Sequence, residues 1–164
     1  MSKRRKRAQK TFENVPVVDA GARGKSVAKT EEGEVIFLTE AVPGDVVNIQ
    51  TYKKKKSFYE GRVTKFIELS DRRAEPVCKH FNTCGGCKWQ HMTYESQLYF
   101  KQKEVTENLK RIGHLELSEI TPIAGSSEQY RYRNKMEFSF SASRWLTLEE
   151  IQSDVEIEDK KALG

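Results

Sequence analysis

The sequence has only three cysteines, Cys78, Cys84 and Cys87, and none outside residues 78–87. So few thiols, so tightly grouped, do not make a disulfide framework; in a reducing compartment such a group more often binds a metal. The sequence also lacks any apolar run near the ~20 residues that a membrane-crossing helix needs. Its charged start is not followed by an apolar stretch, which does not fit a secretory signal. These absences point to a cytoplasmic chain with no membrane association. No internal repeat is evident, and nothing in the sequence implies a protein partner. What is present is charge. Of 164 residues, 32% are Asp, Glu, Lys or Arg, against 37% hydrophobic, enough for one domain or two small ones.

The net charge of +5 is unevenly placed. Lys3, Arg4, Arg5, Lys6, Arg7 and Lys10 supply it alone. Residues 1–11 have too little apolar content to fold and read as a disordered basic arm, of the kind that meets nucleic acid through released counterions. From residue 12 to 70, short apolar runs alternate with turn signals. Val15, Val17 and Val18 begin the first, Gly21 and Gly24 interrupt it, and Ser26 to Ala28 continue the pattern. Glu34 to Leu38, Val46 to Tyr52 and Phe58 to Leu69 follow, with Pro43-Gly44-Asp45 as a turn. Five short strands in so short a span predict a small closed barrel of the OB type. Lys53, Lys54, Lys55 and Lys56 are expected to form a basic loop, flanked by Tyr52, Phe58 and Tyr59. Cations beside aromatic platforms are the composition of a surface for single-stranded nucleic acid. A solvated hairpin tip is the plainer alternative.

Residues 71–92 read as a loop-rich metal segment, and 93–164 as an incomplete α/β domain. Thr93 is the expected N-cap of a helix, with Glu95 in its first turn, Lys110 and Arg111 in its last, and Gly113 as a stop. Tyr94, Leu98, Val105, Leu109 and Ile112 recur at helical spacing and are expected to pack in a core. Ile120 to Ile123 reads as a short strand weakened by Pro122. Tyr130 to Ser141 reads as another, with Met136, Phe138 and Phe140 on one face and Arg131, Arg133 and Lys135 on the opposite parity. For those three cations, RNA contact and ion pairing within the fold are equally open. Leu148 and Ile151 hint at a helix in the acidic stretch that follows. The fold class is thus mainly β with α+β: an OB-like barrel, a Cys-rich metal loop, then the start of an α/β domain.

The cysteines are spaced C-x5-C-x2-C, with Gly85 and Gly86 allowing the backbone to wrap closely. Thiolates suit zinc or an iron–sulfur cluster, and each needs a fourth ligand. His91 would close a zinc tetrahedron; a cubane cluster would need a fourth cysteine, which these residues do not contain. Spacing alone leans to zinc.

The run Pro76-Val77-Cys78-Lys79-His80-Phe81-Asn82-Thr83-Cys84-Gly85-Gly86-Cys87-Lys88-Trp89-Gln90-His91, followed by Tyr94, Gln97 and Lys101, resembles the cluster region of the TRAM-domain RNA uracil-5-methyltransferases, whose best-known member modifies 23S ribosomal RNA. Gly24 to Ala28, Pro43-Gly44-Asp45, Ser70-Asp71-Arg72-Arg73 and Tyr130 to Lys135 fit the same pattern in the same order. The likeness covers about residues 12–141. It implies a 4Fe–4S cluster with Cys78, Cys84 and Cys87 as three of its ligands and the fourth outside this chain. It makes His91 a non-ligand and the chain an N-terminal portion of a longer enzyme.

The family's chemistry is covalent: a cysteine thiolate attacks C6 of a flipped uracil, C5 takes a methyl group from S-adenosylmethionine, and a base removes the C5 proton. None of those parts is visible here. The three cysteines belong to the metal segment, and no glycine-rich strand-to-helix turn of the S-adenosylmethionine type occurs. The expectation is an RNA-recognition and cluster region, inactive alone, whose RNA contacts are Lys53 to Lys56, Phe58, Arg131, Arg133 and Lys135. The RNA is 23S ribosomal RNA or, as an alternative, transfer RNA. The competing expectation is a stand-alone zinc-dependent RNA-binding protein without catalysis.

Overall fold

Alternating apolar residues build a barrel from the first strand onward. The computed structural model describes residues 9–83 and 85–135, with scattered positions farther along. Strand β1 is Thr11–Ala20, β2 Ser26–Lys29, β3 Val35–Leu38, β4 Val46–Lys54 and β5 Tyr59–Glu68. They close in the order β1-β2-β3-β5-β4, with β4 returning to β1. Every pairing is antiparallel except β3 with β5, which is parallel. This is the five-stranded Greek-key barrel of the OB kind. Val15, Val17, Ala28, Ile36, Leu38, Val47, Ile49 and Tyr59 point inward from successive strands and fill it.

Lys10, placed by the sequence in the basic arm, takes part in the barrel's hydrogen bonding. Lys10 is already tied across the barrel: its backbone N–H donates to Thr51 Oγ1 at 3.0 Å, and Thr51 N–H donates back to its carbonyl at 2.8 Å. Residues 1–8 lie outside the described residues. Asn14, at φ 52°, makes the bulge where the β1–β4 register shifts, and its N–H donates to Asn48 Oδ1.

The Pro43-Gly44-Asp45 turn does more than reverse the chain. Asp45 is fully buried, and both its carboxylate oxygens are filled. Oδ2 accepts from Val42 N–H at 2.6 Å and from Arg73 Nη2 at 2.7 Å. Oδ1 accepts from Ser70 N–H and from Arg73 Nε, each at 2.9 Å. The bidentate guanidinium also donates to the Glu40 carbonyl and lies 4.5 Å from the Phe66 ring centre. Gly44 has φ 100°, and a Cβ there would come within 2.5 Å of Ser70 Oγ. A side chain is therefore excluded by both conformation and space. This clamp holds the strap at residues 70–74 against the barrel.

The strap then meets the helix. Arg73 forms a β-bridge with Met92, Ala74 N–H donates to the His91 carbonyl, and Thr93 N–H donates to Arg72. Thr93 caps helix α1, Tyr94–Arg111, through Ser96 N–H. Glu95 and the Lys110–Arg111 pair sit at the ends where the sequence places them. The face that packs is different from the expected one. Phe100 and Ser96 are the helix's buried residues, whereas Val105 and Ile112 are 52% and 76% exposed. Phe100 joins Val42 and Met92 in a second small core, with Ala20 and Trp89 against it. Along α1 the contact with the barrel includes Phe100, in that second core, and Lys103, which adds an ion pair to Asp19 at 2.7 Å. Of the expected stripe, Leu98 and Leu109 are half-buried and Val105 and Ile112 exposed.

The chain divides into two units, Met1–Glu75 with Lys88–Ile123, and Pro76–Cys87 with Ala124–Gly164. Helix α1 thus belongs to the barrel's unit. Of the two further strands expected, the first does not form, and the second is seen among the described residues only at its end. Residues 120–123 make no strand, Pro122 having no N–H to give. Residues 130–135 are irregular, with Arg131 at φ 59°, outside extended backbone. In the second unit, β6 (Phe140–Ser141) pairs with β7 (Ala162–Leu163). Met136, Phe138 and the expected helix at Leu148 and Ile151 lie outside the described residues. Among the described residues no helix is long and apolar enough to cross a membrane.

Candidate nucleic-acid interface and cysteine segment

The lysine run is not a single loop. Strand β4 continues through Lys54, and the hairpin turns only at the Lys55 N–H to Phe58 carbonyl bond of 2.8 Å. Lys53 and Lys54 therefore sit on a strand, where neighbouring side chains take opposite sides. Lys53 Nζ lies 3.6 Å from Glu60 Oε2, and Lys54 Nζ lies 5.1 Å from the Tyr59 ring centre. Lys55 and Lys56 are exposed at the tip. The expected loop is split because the β4–β5 ladder runs on to the Lys54–Tyr59 pair.

Phe58 does not stand alone. Its ring meets Phe37 edge to face, with centroids 5.0 Å apart and planes at 86°. Lys25, in the β1–β2 connection, reaches within 5.9 Å of the Phe37 centroid and within 3.4 Å of Glu60 Oε1. Glu60 thus joins Lys25 and Lys53. The sequence reading missed Lys25, Phe37 and Glu60. Outward parity on β3 was the available signal for Phe37, since Ile36 and Leu38 on either side are core. For Lys25 and Glu60 the signal lies in the parallel β3–β5 pairing, which single-strand patterns do not carry.

On the Tyr59 side, Lys10 Nζ bonds Glu34 Oε1 at 3.0 Å and lies over both Phe12 and Tyr59. Tyr59 Oη donates to the same Glu34 oxygen at 3.1 Å. The bond to Lys10 holds the Glu34 carboxyl below the usual carboxylate value, and the bond to Glu34 raises the Lys10 ammonium. Lys10, the last basic residue of the arm, is therefore joined to the barrel on the Tyr59 side, where Lys54 also lies.

Arg131, Arg133 and Lys135 belong to the second unit and are exposed. Lys135 Nζ is 3.7 Å from Glu137, with both side chains over four-fifths exposed. Such a pair is worth little in water. Without a strand, the three cations do not share the single face that alternation predicted.

Cys78 is half-buried and Cys87 exposed, and Cys84 lies outside the described residues. The intervening chain turns tightly: Phe81 N–H bonds the Cys78 carbonyl, Thr83 N–H the His80 carbonyl, and Asn82 and Gly85 take φ 65° and 71°. Among the described residues no three Cys, His, Asp or Glu side chains gather as metal ligands. His91, the zinc candidate, is buried in the barrel's unit. Its Nε2 lies 3.4 Å from the Ala41 carbonyl, an acceptor only, so the proton belongs on Nε2. Burial lowers the imidazole pKa from its usual 6.5. Gln97 Nε2 donates to the carbonyls of Trp89 and Met92. Gly24, at φ 72°, lies so close to Lys88 that a Cβ would overlap the Lys88 side chain. The part of the Cys-Gly-Gly-Cys string that follows Cys87 is thus a docking strap for the barrel.

No family model matches the sequence. The chain is 50% identical over 143 residues to a Bacteroides thetaiotaomicron protein named an uncharacterized RNA methyltransferase, covering 87% of this chain and 31% of that protein. A Porphyromonas gingivalis protein of the same name is 44% identical over 136 residues, covering 83% and 29%. A Legionella pneumophila protein named 23S rRNA (uracil(1939)-C(5))-methyltransferase RlmD is 38% identical over 130 residues, covering 79% and 29%. These relatives are named RNA methyltransferases, one of them a uracil-C5 enzyme of 23S rRNA, and the chain matches their N-terminal part. The chain spans about three tenths of the length of the curated relatives it matches.

Proposed function

We propose that this chain is the RNA-recognition and cluster-bearing region of a cytoplasmic, S-adenosylmethionine-dependent RNA uracil-C5 methyltransferase acting on 23S ribosomal RNA. The observation that carries the reading is the 38% identity over 130 residues to a protein of that name. The barrel supports it. An OB-type surface with Lys25, Lys53, Lys55 and Lys56 around an aromatic pair suits a nucleic-acid backbone and its bases. Methyl transfer itself is assigned to the part of such a protein that the relatives have beyond the matched region.

Cys78, Cys84 and Cys87 would hold a 4Fe–4S cluster, with a fourth cysteine supplied from elsewhere in that protein. The donor chemistry fits: three soft thiolates lie within ten residues, on backbone that turns at Asn82 and Gly85. When bound, the cluster supplies cross-linking rather than electrons, since methyl transfer moves none. In this reading His91 serves the barrel's own packing, buried with its Nε2 facing the Ala41 carbonyl, and is not called on as a ligand. Held as ligands, the cysteines leave this chain without a nucleophile.

Two measurements on the purified chain test this. With S-adenosylmethionine and ribosomal RNA it should bind RNA and transfer no methyl group. Purified without oxygen it should carry iron and inorganic sulfide and absorb broadly near about 400 nm. A colourless protein with stoichiometric zinc would refute the cluster assignment, and methyl transfer by the chain alone would refute the division of labour. Stronger binding to transfer RNA than to 23S fragments would move the substrate to the former.

A further inference from the structure

We propose that the outward face of β3 and β5, where Phe37 and Phe58 meet edge to face and Lys25 and Lys53 share the Glu60 carboxylate, is a stacking site for an unpaired nucleotide. The inference rests on the RNA-recognition reading above and adds to it the site and the form of the RNA.

The parity of the strands places the rings. Ile36 and Leu38 fill the barrel, so Phe37 between them stands on the outer side, and Phe58, in the hairpin just before β5, meets it there. Both remain half-buried rather than covered. An edge-to-face pair uses one face of one ring and an edge of the other, which leaves aromatic surface unused. Gly21 borders Phe37, where a Cβ would stand 3.6 Å from the ring, so the β1–β2 connection walls the site on one side.

The charges beside the rings set the ligand. Lys25 and Lys53 lie 3.4 and 3.6 Å from the two oxygens of one carboxylate, leaving one positive charge in excess. A phosphate of the chain can take either lysine from Glu60 while the attached base lies on the rings. Cations alone would accept a duplex equally well. A base in a duplex is covered by its neighbours and offers no face to Phe37 or Phe58, so the aromatic pair selects unpaired RNA.

The test uses the 164-residue chain with two probes of matched charge, a labelled single-stranded oligouridylate and an RNA hairpin stem, read by fluorescence anisotropy. The single strand should bind more tightly. Phe37→Leu and Phe58→Leu should each weaken it about tenfold, with the stem and the salt dependence unchanged. Lys25→Gln and Lys53→Gln should weaken both probes and lower the salt slope by nearly one each. A 2-aminopurine base in the single strand should lose fluorescence on binding to the unaltered chain, a readout independent of whether the leucine variants fold. RNA binding with no quenching, no preference for the single strand and no effect of folded leucine variants would overturn the stacking site and leave the RNA reading standing. No binding of either probe would overturn both.

Discussion

Two carboxylates in this protein are each gripped by basic side chains, and they behave as opposites. Asp45 is sealed from water and accepts four hydrogen bonds of 2.6–2.9 Å, two of them from backbone N–H groups. Glu60 keeps 17% of its side chain exposed and holds two lysines at 3.4 and 3.6 Å. The first arrangement is bidentate, desolvated and complete; removing one partner leaves a charge stranded. The second is longer and made by lysines that are 35% and 51% exposed, which can change partners at little cost. The residues that carry the family likeness, Pro43-Gly44-Asp45 and Arg73, build the first. No motif announces the second, and it is the one that faces outward to a ligand.

The comparison can be broken from its strong side. Asp45→Ala removes the acceptor of Val42 N–H, Ser70 N–H and the Arg73 guanidinium together. We expect a loss of about 3 kcal/mol of stability, read from the urea midpoint. A loss below about 1 kcal/mol would make Asp45 no different from a surface carboxylate.

A smaller effect tests the neighbouring His91. Its folded pKa lies below 6.5, so as pH falls the unfolded chain takes up the proton first. The stability is whole above pH 6.5 and declines as pH falls below it toward the folded value. His91→Gln keeps a donor for the Ala41 carbonyl and should flatten that decline. Equal pH dependence in the two proteins would show that the ring is not buried as described.

The smallest effect belongs to Glu60→Gln. It should leave the urea midpoint unchanged while tightening RNA binding several-fold, because both lysines are released. A lowered midpoint would give Glu60 the structural role assigned to Asp45.

The barrel was legible because each strand alternates, and the inward residues Val15, Val17, Ile36, Leu38, Val47 and Ile49 fall at every second position. The helix was legible by its ends, Thr93 and Gly113, but not by its buried face. Helical periodicity reports which residues are apolar, whereas contact with the barrel decides which are covered. The Lys25–Glu60–Lys53 group was not legible, since it needs the parallel register that puts Phe37 opposite Glu60. His91 was read within a cluster motif, and its contact here is with the Ala41 carbonyl, 50 residues away, which no local spacing encodes.

Arg73 follows Asp45 by 28 residues, and that interval matters during synthesis. A chain is made from its N-terminus, and its parts meet only after they emerge. While β4 is already out, the Asp45 carboxylate has neither Ser70 N–H nor Arg73, and β3 shows an open edge until Tyr59 and Glu60 arrive to pair with it. The barrel is therefore unfinished on the ribosome until the strap has been made. Arg73 is the latest residue in the chain to bond Asp45, and the next segment to emerge begins the cysteines. The order of translation thus brings out the cysteine segment just after the barrel has become able to close.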